Sequence, residues 1–407
     1  MATDPAYHFN RSVADSAAPP IPLATQWASA YAPPTPDHKL LNLAQGVPGD
    51  PPPTEFLARL ARAAQDPATT GYGDLRGDLG LRQELANDVG QTYEGEVSRD
   101  DVVITAGCNI AFYSTIIALC QAGDEVILPT PWYFNHEMVL KQLSIGLVPL
   151  AAHPPTFLPS VSLARSLVTP KTKAIVLVTP NNPTGSIYPK ELLREFATLA
   201  VEKGLALVLD ETYRDFVEGR PHDLFCDADW RRYMIHLFSF SKSYAIPGHR
   251  LGAVVASPTF HQQLAKTLDC LQICPARPAQ RVLEWAIEGT REWRTETRRE
   301  LDRRQELFRE SLDTVEGWQV ATGSDYFAYV QHPFEGTSSE SVARMLASQV
   351  GVVALPGTFF SPPFADINED RYIRFSIANV STEVLRQVPA RLARLNELWP
   401  TLELSSK

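Results

Sequence analysis

The sequence has little of what marks a secreted, metal-binding or membrane-spanning protein. Among its 407 residues are only five cysteines, at Cys108, Cys120, Cys226, Cys270 and Cys274. They form no CxxC set with metal-ligand spacing, and the nine histidines show none either, so we predict free thiols and no metal site. No apolar run approaches the ~20 residues that cross a bilayer. The opening MATDPAYHFN lacks the basic and apolar segments of a secretory signal, so we predict a cytoplasmic protein with no membrane partner.

Nucleotide-binding motifs and positive charge are also missing. No P-loop pattern and no GxSxG pattern occur. Gly71, Gly73 and Gly77 form a GxGxxxG pattern that is one residue longer than the dinucleotide fingerprint and follows no predicted strand. The formal net charge of −10 argues against nucleic acid as a partner. A local basic pocket for a small anion is compatible with that net charge.

Proline is abundant in the first 55 residues, where APPIP, APPTP and GDPPP follow one another. Because proline fixes φ and lacks a backbone donor, we predict an extended arm with one short helix near Ile21 to Tyr31. From about Phe56 onward, helical periodicity alternates with short apolar runs such as VVI, VIL, IVLV and LALVL. Such runs are typical of strands covered on both faces, and their alternation with helices favours a mostly parallel sheet.

The predicted fold is therefore α/β, with helices on both faces of a large, mostly parallel sheet and a smaller α+β domain. We assign residues 1–45 to an N-terminal arm and part of the small domain. Residues 46–285 form the predicted large domain, and residues 286–407 the small C-terminal domain. We also predict one long helical stretch from about Pro278 to Thr314 and a last helix near Thr382 to Leu398.

Polar or aromatic residues follow five of the predicted strands. In open parallel sheets, ligands bind at the carboxyl ends of the strands, so we expect these residues to lie close together. They are Gly107, Cys108, Asn109, Tyr133, Asn182, Asp210, Ser239, Ser241 and Lys242.

The stretch SFSKSYAIPGHRLG places Lys242 at the end of a buried strand and Arg250 eight residues later. Burial disfavours the ammonium form of a lysine and lowers its pKa, and a second cation nearby acts in the same direction. A lysine of this kind is suited to form a Schiff base. A phosphorylated aldehyde cofactor would use both residues, the amine for its carbonyl and the guanidinium for its phosphate.

Three other residues suit the ring of such a cofactor. Asp210 follows LALVL, where an unpaired carboxylate is costly, so it should face a cation such as a protonated pyridine nitrogen. Tyr213 and Asn182 can donate to a phenolate oxygen. The alternatives are a salt-bridged or helix-capping Asp210 and a plain turn at Asn182.

The cofactor's phosphate and ring face have candidate partners as well. Residues 107–109 lie at a predicted helix N-terminus, where free N–H groups and the helix dipole favour a phosphate. Ser239 and Ser241 add hydroxyl donors, and Tyr133 can lie flat on a planar ring. Without the other motifs, residues 107–109 could equally be a simple strand-to-helix turn and Tyr133 a core aromatic.

Taken together, these motifs resemble those of the class I/II aminotransferases, the fold type I pyridoxal-phosphate enzymes. The resemblance runs from about Leu43 to near the C-terminus and rests on three motifs in the family's order: NPTG at 182–185, DETY at 210–213, and SFSK with GHRLG at 239–252. It implies a seven-stranded type of sheet, the cofactor pyridoxal 5′-phosphate, and a homodimer with shared active sites.

The resemblance also implies a role for each matching residue. Lys242 carries the cofactor and then moves the substrate's Cα proton, and Asp210 holds the pyridine nitrogen. Asn182 and Tyr213 hold the phenolate oxygen, and Tyr133 stacks on the ring. The residues implied at the phosphate are Gly107, Cys108, Asn109, Ser239, Ser241, Arg250 and, from the neighbouring subunit, Tyr72. Those implied at the substrate are Arg374, which grips the α-carboxylate, Asn182, and Gly46 in a segment that closes over the site.

The activity predicted from this resemblance is transfer of an amino group between an α-amino acid and a 2-oxo acid through a Lys242 Schiff base. A lyase, cyclase or oxidase acting through the same quinonoid intermediate is the alternative, because fold and cofactor do not settle the chemistry. Tyr133, Tyr326 and Phe359 favour an aromatic or apolar side chain. A transcriptional regulator on the same fold would need a DNA-binding module that the short arm cannot supply.

Overall fold

The computed structural model describes residues 7–364 and 366–405; residues 1–6 of the predicted arm lie outside the described part. The strands are β1 (Leu41–Asn42), β2 (Val102–Thr105), β3 (Glu125–Thr130), β4 (Gly146–Ala151), β5 (Thr172–Val178), β6 (Ala206–Asp210), β7 (Met234–Ser239), β8 (Gly252–Val255), β9 (Gln319–Ser324), β10 (Phe327–Gln331), β11 (Val352–Val353), β12 (Leu355–Pro356) and β13 (Tyr372–Ser376). The helices are α1 (Arg11–Ala14), α2 (Pro20–Trp27), α3 (Thr54–Gln65), α4 (Leu79–Tyr93), α5 (Cys108–Leu119), α6 (Phe134–Gln142), α7 (Val161–Leu167), α8 (Lys190–Lys203), α9 (Phe240–Ser243), α10 (Pro258–Leu271), α11 (Arg277–Gly289), α12 (Arg291–Leu312), α13 (Ser339–Gln349), α14 (Thr382–Leu385) and α15 (Val388–Ser405).

Seven strands form the large sheet, in the order β2-β8-β7-β6-β5-β3-β4. All neighbours are parallel except β8, which runs antiparallel to both β2 and β7. Successive residues of one strand belong to different apolar clusters: Ile175 and Leu177 pack on one face of the sheet, and Val176 packs on the other. Both faces are therefore covered, which confirms the α/β fold predicted from the continuous apolar runs.

A second, antiparallel sheet has the order β12-β13-β10-β9 and packs around its own apolar cluster, which includes Phe308, Val330 and Phe375. Strand β1 pairs in parallel with β11, so the segment that follows the arm is joined to this smaller unit. The predicted domain limits at residues 45 and 285 stay predictions.

Two helical predictions differ from the structure. The stretch expected from Pro278 to Thr314 is two helices, because α11 ends at Gly289 and α12 begins at Arg291. Glycine has a low helix propensity, so Gly289 favours a break at this point. The last predicted helix is likewise divided into α14 and α15. The arm helix near Ile21 is present as α2.

One edge of the large sheet gathers the residues that follow its strands. The parallel strands β2, β3, β5, β6 and β7 all end at this edge. Because β8 runs in the opposite direction, the residue before it, Arg250, lies at the same edge. In the part of the chain that the structure describes, no helix is long and apolar enough to cross a membrane, and no group of three or more His, Cys, Asp or Glu side chains could hold a metal.

Candidate active site

A cavity of about 500 Å³ lies at this edge of the large sheet, next to the small sheet. It brings together most of the residues predicted from the sequence: Gly46, Cys108, Asn109, Tyr133, Asn182, Asp210, Tyr213, Ser239, Ser241, Lys242, Arg250 and Arg374. Gly107 is not a lining residue, but it directly precedes the lining residue Cys108. The charged residues that line the cavity are three cations, at Lys242, Arg250 and Arg374, and one carboxylate, at Asp210. The cavity as a whole therefore favours an anionic ligand.

Lys242 lies on the short helix α9, directly after β7, and its Nζ donates to the backbone oxygen of Gly46 at 2.8 Å. Burial lowers the pKa of the Lys242 amine to about 8, and the charges of Arg250 and Arg374 act in the same direction. About a tenth of this amine is therefore unprotonated at pH 7, far more than for an ordinary lysine, and the free amine is a nucleophile and a base.

Asp210 ends β6 and is the carboxylate of the cavity. Its Oδ2 lies 3.2 Å from Nε2 of His136, and its Oδ1 accepts from the backbone N–H and the hydroxyl of Thr212 at 3.0 and 2.7 Å. Burial acts to raise the pKa of Asp210, but the bonds from His136 and Thr212 outweigh it and hold the pKa below its ordinary value. Asp210 is therefore a fixed negative charge within the cavity.

His136 is held in turn by stacking on Phe112, with ring centroids 3.8 Å apart. The thiol of Cys108 also donates to Asp210 Oδ1 across 3.8 Å, and burial raises the pKa of that thiol so that it stays protonated. Sequence analysis assigned no role to His136. Its contact with Asp210 depends on packing between α6 and the end of β6.

The N-terminus of α5 lines the cavity with Cys108 and Asn109. Gly107, which precedes this helix, has φ of 91°, a conformation that favours glycine, and a Cβ there would displace the guanidinium of Arg250. Arg250 donates from Nη1 to the oxygen of Pro247 at 2.9 Å. The hydroxyl of Ser239 accepts from the backbone N–H of Ser241 at 3.2 Å. The Arg250 guanidinium, the hydrogen of the Ser239 hydroxyl and the helix dipole suit a phosphate group.

Tyr133, Asn182 and Tyr213 also line the cavity. Burial raises the pKa of Tyr133 to about 12 and raises the pKa of Tyr213 as well, so both hydroxyls stay protonated donors. The Tyr213 ring packs against Tyr326, with centroids 4.8 Å apart. Tyr326 is itself buried and donates to the Lys242 backbone oxygen at 3.4 Å. It therefore contacts both Tyr213 and Lys242 without lining the cavity itself.

Arg374 reaches the cavity from β13 of the small sheet. Its side chain is 1% exposed, its Nη1 donates to Asn182 Oδ1 at 2.7 Å, and its Nη2 donates to the backbone oxygen of Ala44. The guanidinium carbon lies 4.6 Å from the Phe327 ring centroid, and Nε has no partner among the described residues. Burial lowers the pKa of Arg374 to about 10, so it remains a cation that can bind a carboxylate.

Tyr72 is not part of this cavity. Its side chain is 81% exposed and lies on the loop before α4. The sequence resemblance places the contact of Tyr72 at the phosphate of a neighbouring subunit, so this role stays a prediction.

Sequence analysis did not assign several apolar side chains of the lining, among them Ile21 on α2, Val47, and Phe134 at the start of α6. The sequence predicts the arm helix but gives no sign that it lies over the cavity. Three further arginines could bind a second substrate carboxylate, but none of them lines the cavity. They are Arg76, Arg277 and Arg371, and their guanidinium groups lie near Asp74, Asp78 and Glu335, respectively.

The residues at this cavity fit pyridoxal 5′-phosphate. An aldehyde needs an amine, which Lys242 supplies, and a protonated pyridine nitrogen needs a carboxylate, which Asp210 supplies. A phosphate needs a helix N-terminus, hydroxyls and a guanidinium, which are present at Gly107, Ser239 and Arg250.

Comparison with known proteins agrees with this geometry. Residues 38–392 match the family model described as aminotransferase class I and II. An aromatic aminotransferase of Arabidopsis thaliana is 30% identical over 87% of this chain and 89% of its own length. An aspartate aminotransferase of Sulfurisphaera tokodaii is 29% identical over 89% of this chain and 91% of its own length.

Solved structures show the same fold. A double mutant of Thermus thermophilus aspartate aminotransferase superposes with a TM-score of 0.86 at 26% identity, covering 96% of this chain and all of that one. An aromatic aminotransferase of Pyrococcus horikoshii has a TM-score of 0.81 at 26% identity, covering 88% of this chain and 96% of that one. The chain is therefore an enzyme of the class I and II aminotransferase family.

Proposed function

We propose that this enzyme binds pyridoxal 5′-phosphate in the cavity and transfers the amino group of an apolar or aromatic α-amino acid to a 2-oxo acid. The observation that supports it best is that Lys242, with a pKa lowered to about 8, shares one cavity with Asp210 and the buried Arg374. Bound there, the cofactor supplies an aldehyde and a ring that accepts electrons from the substrate's Cα.

The residues at the strand ends bind and orient the cofactor in this proposal. Asp210 keeps a proton on the pyridine nitrogen, because its own pKa is held low by His136 and Thr212. Asn182 and Tyr213 donate to the phenolate oxygen, and Tyr133 covers the ring face. The phosphate is bound by Gly107, Cys108, Asn109, Ser239, Ser241 and Arg250.

Lys242 has two tasks in the proposed mechanism. Its amine would hold the cofactor at the aldehyde carbon, and as a free amine it would take the proton from the substrate's Cα. A base works best when its pKa lies near the working pH, and burial beside two guanidinium groups lowers the pKa of Lys242 into that range.

Arg374 and the apolar lining define the substrate in this proposal. The guanidinium binds the α-carboxylate, which amino acid and 2-oxo acid have in common, and Asn182 orients the guanidinium. Ile21, Val47 and Phe134 border the cavity, and its other cations are Lys242 and Arg250. Within the described chain this lining suits an apolar side chain better than a second carboxylate. Gly46 closes the cavity from the side of the arm.

We also propose that two copies form a homodimer with shared sites, in which Tyr72 reaches the phosphate of the neighbouring copy. Tyr72 is 81% exposed, and Leu271 and Ile273 are also exposed, at 41% and 43%. The loop that carries Tyr72 lies beside the segment that follows α10, because the Gly73 N–H donates to the Cys274 sulfur at 3.3 Å. An exposed apolar surface of this kind is typical of an interface. A cytoplasmic location agrees with the five free cysteines.

A half-reaction assay tests the proposed function. The protein loaded with pyridoxal phosphate is mixed with single amino acids, and the absorbance of the bound cofactor is followed. Conversion to pyridoxamine phosphate, fastest with apolar or aromatic amino acids, is the expected result. Release of ammonia with the starting spectrum restored would instead indicate a lyase or oxidase.

A further inference from the structure

Phe157 lies outside the cavity, on the loop between β4 and α7, and its backbone is in the left-handed region with φ of 52°. A bulky side chain is strained there, so the surrounding structure must hold it in place. The side chain is 5% exposed, and the backbone N–H donates to the oxygen of His153 at 2.8 Å.

The Phe157 ring crosses from the large-sheet unit to the small sheet. It packs edge-on against Tyr329 and Tyr372, with centroid distances of 5.4 and 5.3 Å. Those two tyrosines stack on each other at 5.2 Å. Edge-to-face contacts at these distances are favourable aromatic packing.

Arg374 belongs to the same face of the small sheet. Tyr329 on β10 is paired directly with Arg374 on β13, and Tyr372 is two residues before Arg374 on the same strand. Because side chains alternate along a strand, Tyr329, Tyr372 and Arg374 share one face, so Phe157 packs on the surface that projects Arg374 into the cavity.

The other side of the loop is tied to the turn that carries Asn182. The hydroxyl of Ser186, four residues after Asn182, donates to the oxygen of Thr156 at 2.8 Å. The Asn182 turn and β13 are therefore joined in two ways: by the Arg374–Asn182 hydrogen bond, and by Ser186, Thr156, Phe157 and the two tyrosines.

We propose that Phe157 is a positioning residue that fixes the distance between the small sheet and the Asn182 turn, and thereby the place of Arg374 at the substrate carboxylate. Phe157 is not one of the residues that line the cavity. The inference rests on the proposed role of Arg374.

Two variants that remove the ring test this role. Phe157→Ala keeps the strained backbone, whereas Phe157→Gly also relieves it, since glycine adopts positive φ freely. Both should raise KM for the amino acid and for the 2-oxo acid to the same extent, by about tenfold to a hundredfold, because a small displacement of a binding group has effects of this size. The kcat and the affinity of the apoprotein for pyridoxal phosphate should change less than about twofold. Phe157→Tyr keeps the ring, so its KM values should stay close to those of the wild type.

Phe334→Ala is the matched control. Phe334 is a buried aromatic of the small unit, and it stacks on Trp399 at 3.7 Å, away from the cavity. It should lower the thermal midpoint and leave both KM values unchanged. Equal KM increases in Phe334→Ala and Phe157→Ala would overturn the proposal, because general loosening would then explain them.

Arg374→Ala distinguishes failure of the positioning role of Phe157 from failure of the proposed carboxylate-binding role of Arg374. If it raises both KM values and the Phe157 variants do not, the positioning role is wrong and the proposed function stands. If Arg374→Ala leaves KM unchanged, the carboxylate assignment is wrong. In that case KM no longer reports on Phe157, and the crystal structure of Phe157→Ala tests the positioning role. Loss of the Arg374–Asn182 hydrogen bond supports the role, and retention of that bond refutes it.

Discussion

Arg374 Nη1 donates to Asn182 Oδ1 at 2.7 Å, and this bond joins the small sheet to the turn after β5 of the large sheet. Both side chains are buried, at 1% and 6% exposure. The two residues lie 192 positions apart in the chain. One hydrogen bond therefore orients both Arg374, which we propose binds the substrate carboxylate, and Asn182, which we propose binds the cofactor.

Arg374→Lys should weaken substrate binding although the charge is kept. A lysine cannot form the fork of two parallel hydrogen bonds that a carboxylate accepts from arginine. Loss of one charged hydrogen bond corresponds to about 1.5–3 kcal/mol, so KM should rise by about 10- to 150-fold. Steady-state kinetics with amino acid and 2-oxo acid measures this. Unchanged KM values would place the carboxylate elsewhere.

The reaction of the apoprotein with pyridoxal phosphate should depend on the pKa of Lys242. Its amine is protonated below pH 8 and free above it, because burial, Arg250 and Arg374 lower the pKa to about 8. The rate should therefore rise about tenfold per pH unit up to about pH 7.5 and become constant above about pH 8.5. Stopped-flow absorbance across this range gives the pKa. A midpoint near the ordinary lysine value would show that the amine is not perturbed.

Lys242→Ala should abolish the cofactor's absorbance shift and turnover, since no other lysine lines the cavity in the described chain. Lys266→Ala is the control, because Lys266 lies on α10 outside the cavity. Transamination that persists in Lys242→Ala at wild-type rates would contradict the assignment.

Removing one partner from the buried ion pair behind the site should destabilise the fold. Arg214 follows Tyr213, is 2% exposed, and is paired with Asp88 and Asp215. Arg214→Met leaves these carboxylates short of a cation, and the free energy of unfolding should fall by about 3–5 kcal/mol. Arg303→Met, on the exposed face of α12, should change it by less than about 0.5 kcal/mol. Urea unfolding of both variants measures the difference, and equal effects would rule out a structural role for the buried pair.

His332 should make the protein less stable in mild acid. Burial and the nearby Arg371 lower the pKa of His332 to about 4. The unfolded chain binds this proton below its ordinary pKa of about 6.5, whereas the folded chain does not until about pH 4. Stability is therefore lost as pH falls through this window, by at most about 3 kcal/mol. His332→Gln should show a smaller loss between pH 7 and 4, measured by urea unfolding. The same slope in both proteins would assign the loss to other groups.

The alternation of apolar strands and helices was enough to predict the α/β fold, because burial on both faces of a sheet leaves a direct pattern in the residues. The same pattern predicted where the strands end, and so it predicted that Asp210, Ser239 and Lys242 would meet at one edge. Arg250 was found through its motif, and the antiparallel direction of β8 explains why it lies there.

Contacts between distant segments were not predictable in this way. The sequence alone determined the fold class, the residues at the strand ends and the sheltered lysine, because periodicity and burial are written locally. Only the tertiary structure decided that Ile21 borders the cavity, that His136 holds Asp210, and that Phe157 packs on the face that bears Arg374. It also placed Tyr72 at the surface of a single chain and divided the expected long helix near Thr290. These features depend on how separate elements pack, and packing between elements has no periodic signature in the sequence.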